Sequence, residues 1–471
     1  MLRFYWFVLV LSFGAVAAAQ SNPEQEKLRT EIKAAYEKGD YEKCQELTTK
    51  ELSLNPKDHL ALYFRASSRV ELGFLKRDSA EVRSGIEDAR ESLKIGGAGE
   101  INYYLPYLLG MTTLANIEDK KEHANVALEI AKSVLARSNL TPEQRANILY
   151  QRASAHVFLK ELNAAIEDFQ AAIKSFPGHV GSYMRLAESY IISGNLEKAQ
   201  ATFTSAVEML PDNPLAFNNR GLFFAQHDKP KEAISDFNRA IELDKDFVLA
   251  YTNRGYAYQF EGSLQKAEAD FTKALSLDPG NPLISTLRGG CRLSQGNITG
   301  AIEDYNEAIR LYPQNPATHA DLGFAKFFAK DYPGATTAFD QAVQIEANSM
   351  RHLSAWRIWS LVLAGKPDAV TTIADLSTNK AEKDRDWIDQ LVLFVIGKIS
   401  EKDLVGFVSK TTDAKLKNAQ LCEAYYFIAE RRFQADDKAA ATAFYQQVIQ
   451  TKETQLSAYR GAQFALKSFG K

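Results

Sequence analysis

Residues 214–247 read PLAFNNRGLFFAQHDKPKEAISDFNRAIELDKDF, and residues 248–281 read VLAYTNRGYAYQFEGSLQKAEADFTKALSLDPGN. Set one above the other, these 34-residue rows agree at Arg220/Arg254, Gly221/Gly255, Ala233/Ala267, Asp236/Asp270, Phe237/Phe271 and Ala240/Ala274. The register extends both ways without insertion, giving six rows: 146–179, 180–213, 214–247, 248–281, 282–315 and 316–349. Column 8 is small throughout (Ala153, Ala187, Gly221, Gly255, Gly289, Gly323), and columns 20 and 27 are Ala in every row. Column 24 is aromatic: Phe169, Phe203, Phe237, Phe271, Tyr305 and Phe339. Proline closes four rows at Pro177, Pro211, Pro279 and Pro313.

Two helices can cross closely only where side chains are small, which columns 8 and 20 provide. The column-24 ring then fills the space left between them. Proline cannot continue a helix, so it ends the second helix of each row. Gly194, Gly262 and Gly296 at column 15 suit a left-handed residue after the first helix. The pattern resembles the tetratricopeptide repeat. That resemblance implies an all-α, right-handed superhelical solenoid of antiparallel helix pairs, with about nine to eleven repeat-like units and a C-terminal helical cap. One such unit cannot bury its apolar face, so stability comes from stacking.

Degenerate copies flank the block. Residues 25–140 read as N-terminal repeats, with 59–99 fitting only if about seven extra residues lengthen the turn near Lys76 to Ser84. Residues 350–471 read as further degenerate helical repeats, including a repeat-like 421–454 and a closing helix at 455–468. Residues 1–19 read as a signal peptide: Arg3, an apolar run from Phe4 to Val16, then Ala17-Ala18-Ala19 as a cleavage site. The apolar run is shorter than the roughly 20 residues a spanning helix needs. Export to the periplasm or outside the cell is expected, with no stable membrane insertion after cleavage. Cys44, Cys291 and Cys422 lie in different repeats and cannot easily meet, so buried free thiols are expected.

Arginine at column 7 and aspartate at column 23 occur together: Arg152/Asp168, Arg220/Asp236, Arg254/Asp270 and Arg288/Asp304, and, across the insertion, Arg65/Asp88. The other two rows have Leu186 with Thr202 and Leu322 with Ala338. An intra-repeat ion pair explains this co-occurrence. An arginine gripping acidic peptide termini would need no aspartate in its own repeat.

Inner-face columns 2, 5, 9, 12 and 13 carry Tyr150, Phe158, Met184, Asn218, Gln226, Tyr256, Gln259, Phe260, Phe324, Phe327 and Phe328. Such a groove suits an apolar or extended peptide better than an acidic tail. A plainer reading packs these aromatics inside the array or against the C-terminal helices.

At the C-terminal end, Trp356, Trp359 and Trp387 precede Leu393-Phe394-Val395-Ile396-Gly397-Lys398-Ile399-Ser400, then Cys422-Glu423-Ala424-Tyr425-Tyr426-Phe427-Ile428-Ala429-Glu430, then Tyr459-Arg460-Gly461-Ala462. This order resembles the NlpI-like tetratricopeptide proteins of bacterial envelopes. The resemblance implies an adaptor that gathers envelope enzymes such as proteases or peptidoglycan hydrolases, often as a homodimer. The lipobox cysteine is missing, so membrane tethering does not carry over.

Lys+Arg of 56 against Asp+Glu of 59, with no long charge block, argues against a nucleic-acid partner. The seven histidines are scattered, and no zinc-protease, Walker, nucleophile-elbow or paired-cysteine motif occurs. A non-enzymatic scaffold binding other proteins or extended peptides is expected, with no catalytic residue, cofactor or metal. The alternatives are a repeat-containing enzyme or a small-ligand or substrate-capture component of an export system.

Overall fold

A computed structural model describes residues 23–97 and 99–470. Residues 1–19, expected to be a signal peptide, lie outside that range. The described residues form 25 α-helices joined by tight turns and short 3-10 segments, with no strand among them. They divide into two compact units, one ending at Phe223 and one starting at Phe224. The division falls inside the third row rather than at an end of the six-row block. Within each unit, helices adjacent in sequence pack side by side.

Each of the six rows holds two helices, such as Val248–Glu261 with Leu264–Leu277 and Pro282–Gln295 with Ile298–Leu311. The first helix always ends in the same way. The column-15 residue is left-handed in all six rows: Gly194, Gly262 and Gly296, but also Lys160, Asp228 and Lys330 at φ 64°, 56° and 64°. The column-16 N–H donates to the column-11 carbonyl, for example Ser263 to Tyr258 at 2.8 Å and Asp331 to Lys326 at 2.9 Å. This six-to-one bond is the Schellman closure of a helix. The turn is therefore set by repeat geometry, and glycine is the low-strain choice rather than a requirement.

The close crossing works as the small columns predict. A Cβ placed on Gly255 would come within 2.8 Å of the Phe271 ring, and one on Gly289 within 2.9 Å of Tyr305. In both cases the obstruction is the column-24 ring of the same row. Those rings, with the column-20 and column-27 alanines, are buried.

The insertion in residues 59–99 does not lengthen the turn. The turn is only Arg77-Asp78, and helices His59–Lys76 and Ser79–Gly96 have each grown to 18 residues. Left-handed Arg77 stops the first helix, and the Asp78 carboxylate caps the second by accepting from the Ala80 and Glu81 N–H groups. With both ends fixed, the extra residues extend the helices.

The second unit carries a large aromatic core on its C-terminal side. Trp356 stacks on Tyr426 at 5.0 Å and meets Phe324, Phe327 and Phe427 edge-on. The Trp387 indole N–H donates to Glu423 at 2.7 Å, and Tyr445 donates to Glu430 at 2.7 Å. The closing helix Ser457–Phe469 packs on helices Ala414–Gln434 and Lys438–Gln450, and also touches Pro316–Phe328 in the sixth row. Cys44, Cys291 and Cys422 are all free and buried. Burial pushes their thiols up to about 11, 11 and 12, which removes thiolate reactivity at neutral pH.

Candidate functional site

Four arginine–aspartate pairs form within single repeats. Arg65 donates to Asp88 through Nε and Nη2 at 2.8 and 2.7 Å, Arg152 to Asp168 at 2.7 and 2.5 Å, and Arg254 to Asp270 at 2.8 and 2.7 Å. Arg288 reaches Asp304 at 3.0 and 2.7 Å. The aspartates are buried, and each accepts a two-pronged bond of the kind a guanidinium makes best. Arg220 and Asp236 belong to different units.

Two of these arginines do more than column matching shows. Arg254 Nη1 donates to Asn238 at 2.6 Å and Arg288 Nη1 to Thr272 at 3.4 Å, and both acceptors are column-25 residues of the preceding row. Arg357, beyond the block, donates to Asp340, column 25 of the sixth row, at 2.8 Å. A second arginine one turn on joins two of the pairs: Arg69 at Asp88, 2.7 Å, and Arg292 at Asp304, 3.1 Å. With both prongs inside the repeat, these arginines are not presented to a ligand.

The groove residues separate into buried and open sets. In the first unit, Tyr150 is buried against Phe169 and His179, and Asn218 is buried; Phe158 packs against an apolar cluster and Met184 is half-buried. In the second unit, Phe324 and Phe327 are buried and Phe328 packs on the same core. The sixth row presents the expected columns, but the C-terminal segment covers them: Trp356 lies against all three rings, and Phe464 of the closing helix meets Phe328 at 5.1 Å. These six residues — Tyr150, Phe158, Asn218, Phe324, Phe327 and Phe328 — are therefore core or core-edge rather than groove lining. Gln226 is exposed.

Tyr256, Gln259 and Phe260 do line an open surface. Tyr256 and Phe260 are 57% and 61% exposed, one helical turn apart on Val248–Glu261. With Gln259 they form one wall of a half-open cleft of about 660 Å³. The first helices of the next two rows, including Thr286, Gly290 and Asp321, and residues 454–463, with Tyr459, Arg460 and Gln463, complete its lining. Gly290 in the lining, at a column where Tyr256 and Phe324 stand in neighbouring rows, puts no side chain into the cleft.

The polar groups in the cleft are incompletely satisfied. The Gln259 Oε1 and Arg460 Nε atoms are enclosed without a hydrogen-bond partner. Asp321 makes no hydrogen bond or ion pair to another described residue. Enclosure by protein raises its carboxyl to about 6, only partly offset by the Arg460 charge. Asp321 is the sole acid of the helix PATHADLGFAKFF, which is a sequence signal for it. Arg460 has no such signal, because a periodicity inside the repeats cannot show where a segment over a hundred residues later folds back.

Two family models, each described as tetratricopeptide repeat, match residues 159–218 and 252–316. The chain contains tetratricopeptide repeats. Among solved structures, yeast Tom70 is similar at 16% identity, covering 82% of this chain and 92% of its own, with a TM-score of 0.41. A tetratricopeptide-repeat protein from Parabacteroides merdae is similar at 17% identity, covering 57% of this chain and 98% of its own, TM-score 0.38. PilF of Pseudomonas aeruginosa is similar at 18% identity, 42% and 90% coverage, TM-score 0.37. At these values the likeness carries no inference about partners. No curated protein matches the chain. Among the described residues of this repeat protein there is no cluster of metal-ligating side chains, and no helix long and apolar enough to cross a membrane.

Proposed function

We propose that this chain is a non-enzymatic scaffold of the bacterial cell envelope, exported through residues 1–19, that holds partner proteins by an extended segment laid in the cleft. Tetratricopeptide repeats make protein-interaction scaffolds in general. The observation that carries the finer reading is the aromatic pair Tyr256 and Phe260, left exposed over an open cleft while the equivalent rings of the sixth row are covered. Exposed aromatics beside convergent polar groups are what a binding surface needs. The C-terminal resemblance to envelope adaptors supports the location. A homodimer belongs to the same proposal.

The test is affinity purification of the mature protein from its envelope fraction, with mass spectrometry of what is retained. A Tyr256→Ala/Phe260→Ala variant with unchanged helical circular dichroism is expected to lose the specific partners. An unchanged partner set would remove the cleft from the reading. Capture of a small ligand is the second reading, favoured by a cleft volume inside the roughly 300–1,000 Å³ range of ligand pockets.

A further inference from the structure

The cleft is chemically lopsided. Its charged lining is two carboxylates, Glu261 and Asp321, against one guanidinium, Arg460. The buried aspartates of the repeat ladder in this same unit, Asp270 and Asp304, each hold a two-pronged arginine. Asp321, half-buried in the cleft lining, holds none. An enclosed carboxylate without a partner is costly, and a cation brought to it recovers both the attraction and the hydrogen bonds. An anion gains little here, because Arg460 already donates to the Gln455 carbonyl at 3.4 Å and both carboxylates repel it.

The unsatisfied atoms specify more than charge. Gln259 Oε1 lacks a donor and Arg460 Nε lacks an acceptor, and both residues line the cleft. A peptide unit supplies one N–H and one carbonyl. The exposed rings of Tyr256 and Phe260 stand at the rim, where they can cover apolar neighbours or the stem of a long side chain.

We propose that the cleft takes an extended peptide segment bearing a lysine or arginine, with the cationic head directed to Asp321 and the flanking residues on Tyr256 and Phe260. This rests on the cleft being the partner-binding surface, and adds to it the charge of the partner.

The experiment titrates the full chain with acetyl-Ala-Phe-Lys-Phe-Ala-amide and with the analogues carrying Gln or Glu in place of Lys. The lysine peptide is expected to bind about tenfold tighter than the glutamine one, with the glutamate peptide weakest. Asp321→Asn, which keeps the side-chain volume, should level the lysine and glutamine peptides. Equal binding of those two by the native chain, a tightest glutamate peptide, no binding of any peptide, or an undiminished lysine preference in Asp321→Asn overturns the proposal. Phe260→Ala separates the two readings. If binding is sensitive to it but indifferent to charge, the cleft stands and the cation does not; if binding ignores it, both fall. Spermidine that displaces the lysine peptide at equal concentration would point to a free amine and overturn the peptide assignment.

Discussion

At the scale of single residues, the molecule treats its buried charges in two ways. Ladder aspartates are paired inside their repeats, and Arg254 and Arg288 also reach the row before their own. Removing Arg254 leaves the buried Asp270 carboxylate without its two-pronged donor, while removing both partners leaves no stranded charge. Arg254→Ala, Asp270→Ala and the double variant should therefore couple by about 1–3 kcal/mol in a chemical-denaturation cycle. Additive losses would show that the pair contributes nothing as a pair. Glu71 is the opposite case. It is buried with Tyr36 and Tyr150 nearby, and burial alone pushes its carboxyl up to about 7. A raised carboxyl contributes stability that is complete below its unfolded value and is lost as pH rises through 7. Glu71→Gln should thus be more stable than the parent at pH 8, by up to about 3 kcal/mol. The gain should vanish by pH 4, which urea unfolding at the two pH values would show.

At the scale of the element, the recurring object is the turn between the two helices of a repeat. Three rows use glycine at its left-handed position and three use Lys160, Asp228 or Lys330 in the same conformation. A side chain there costs roughly 1–2 kcal/mol per residue of left-handed strain. Lys330→Gly should accordingly raise stability by about 1 kcal/mol, after the larger unfolded-state entropy of glycine is subtracted. Thermal unfolding of Lys330→Gly and Lys160→Gly beside the parent checks this, and a fall in melting temperature would mean that the lysine stems contribute more than the strain costs. The columns made these helices and turns legible, because each column is a local constraint repeated six times. The insertion at 76–84 was not legible as longer helices, since its outcome depended on Arg77 and Asp78 fixing two helix ends.

At the scale of the whole molecule, sequence periodicity reached as far as neighbour-to-neighbour packing reaches. It located the rows, the crossing glycines and the aromatic column, and it picked out Tyr256, Gln259 and Phe260. It failed for Phe324, Phe327 and Phe328 because their exposure is decided by Trp356 and Phe464, which belong to no clean row. It missed Arg460 for the same reason. A column states which way a residue points within its repeat, and says nothing about what later chain arrives there.

The arginines that bridge rows also decide how the second unit shares its stability. The third row is tied to the fourth by Arg254 and Asn238, and the fourth to the fifth by Arg288 and Thr272. The sixth row is tied to the helix Ser354–Leu363 by Arg357 and Asp340. Between the fifth and sixth rows no such arginine exists, because Leu322 stands in its place and packs with Leu293, Tyr305 and Ala325. In nearest-neighbour terms the stack has two kinds of seam, one bridged by a guanidinium hydrogen bond and one apolar. Apolar seams soften with cold. The lining of the cleft spans the apolar seam, so cooling should loosen the cleft before it loosens the guanidinium-bridged rows of the same unit.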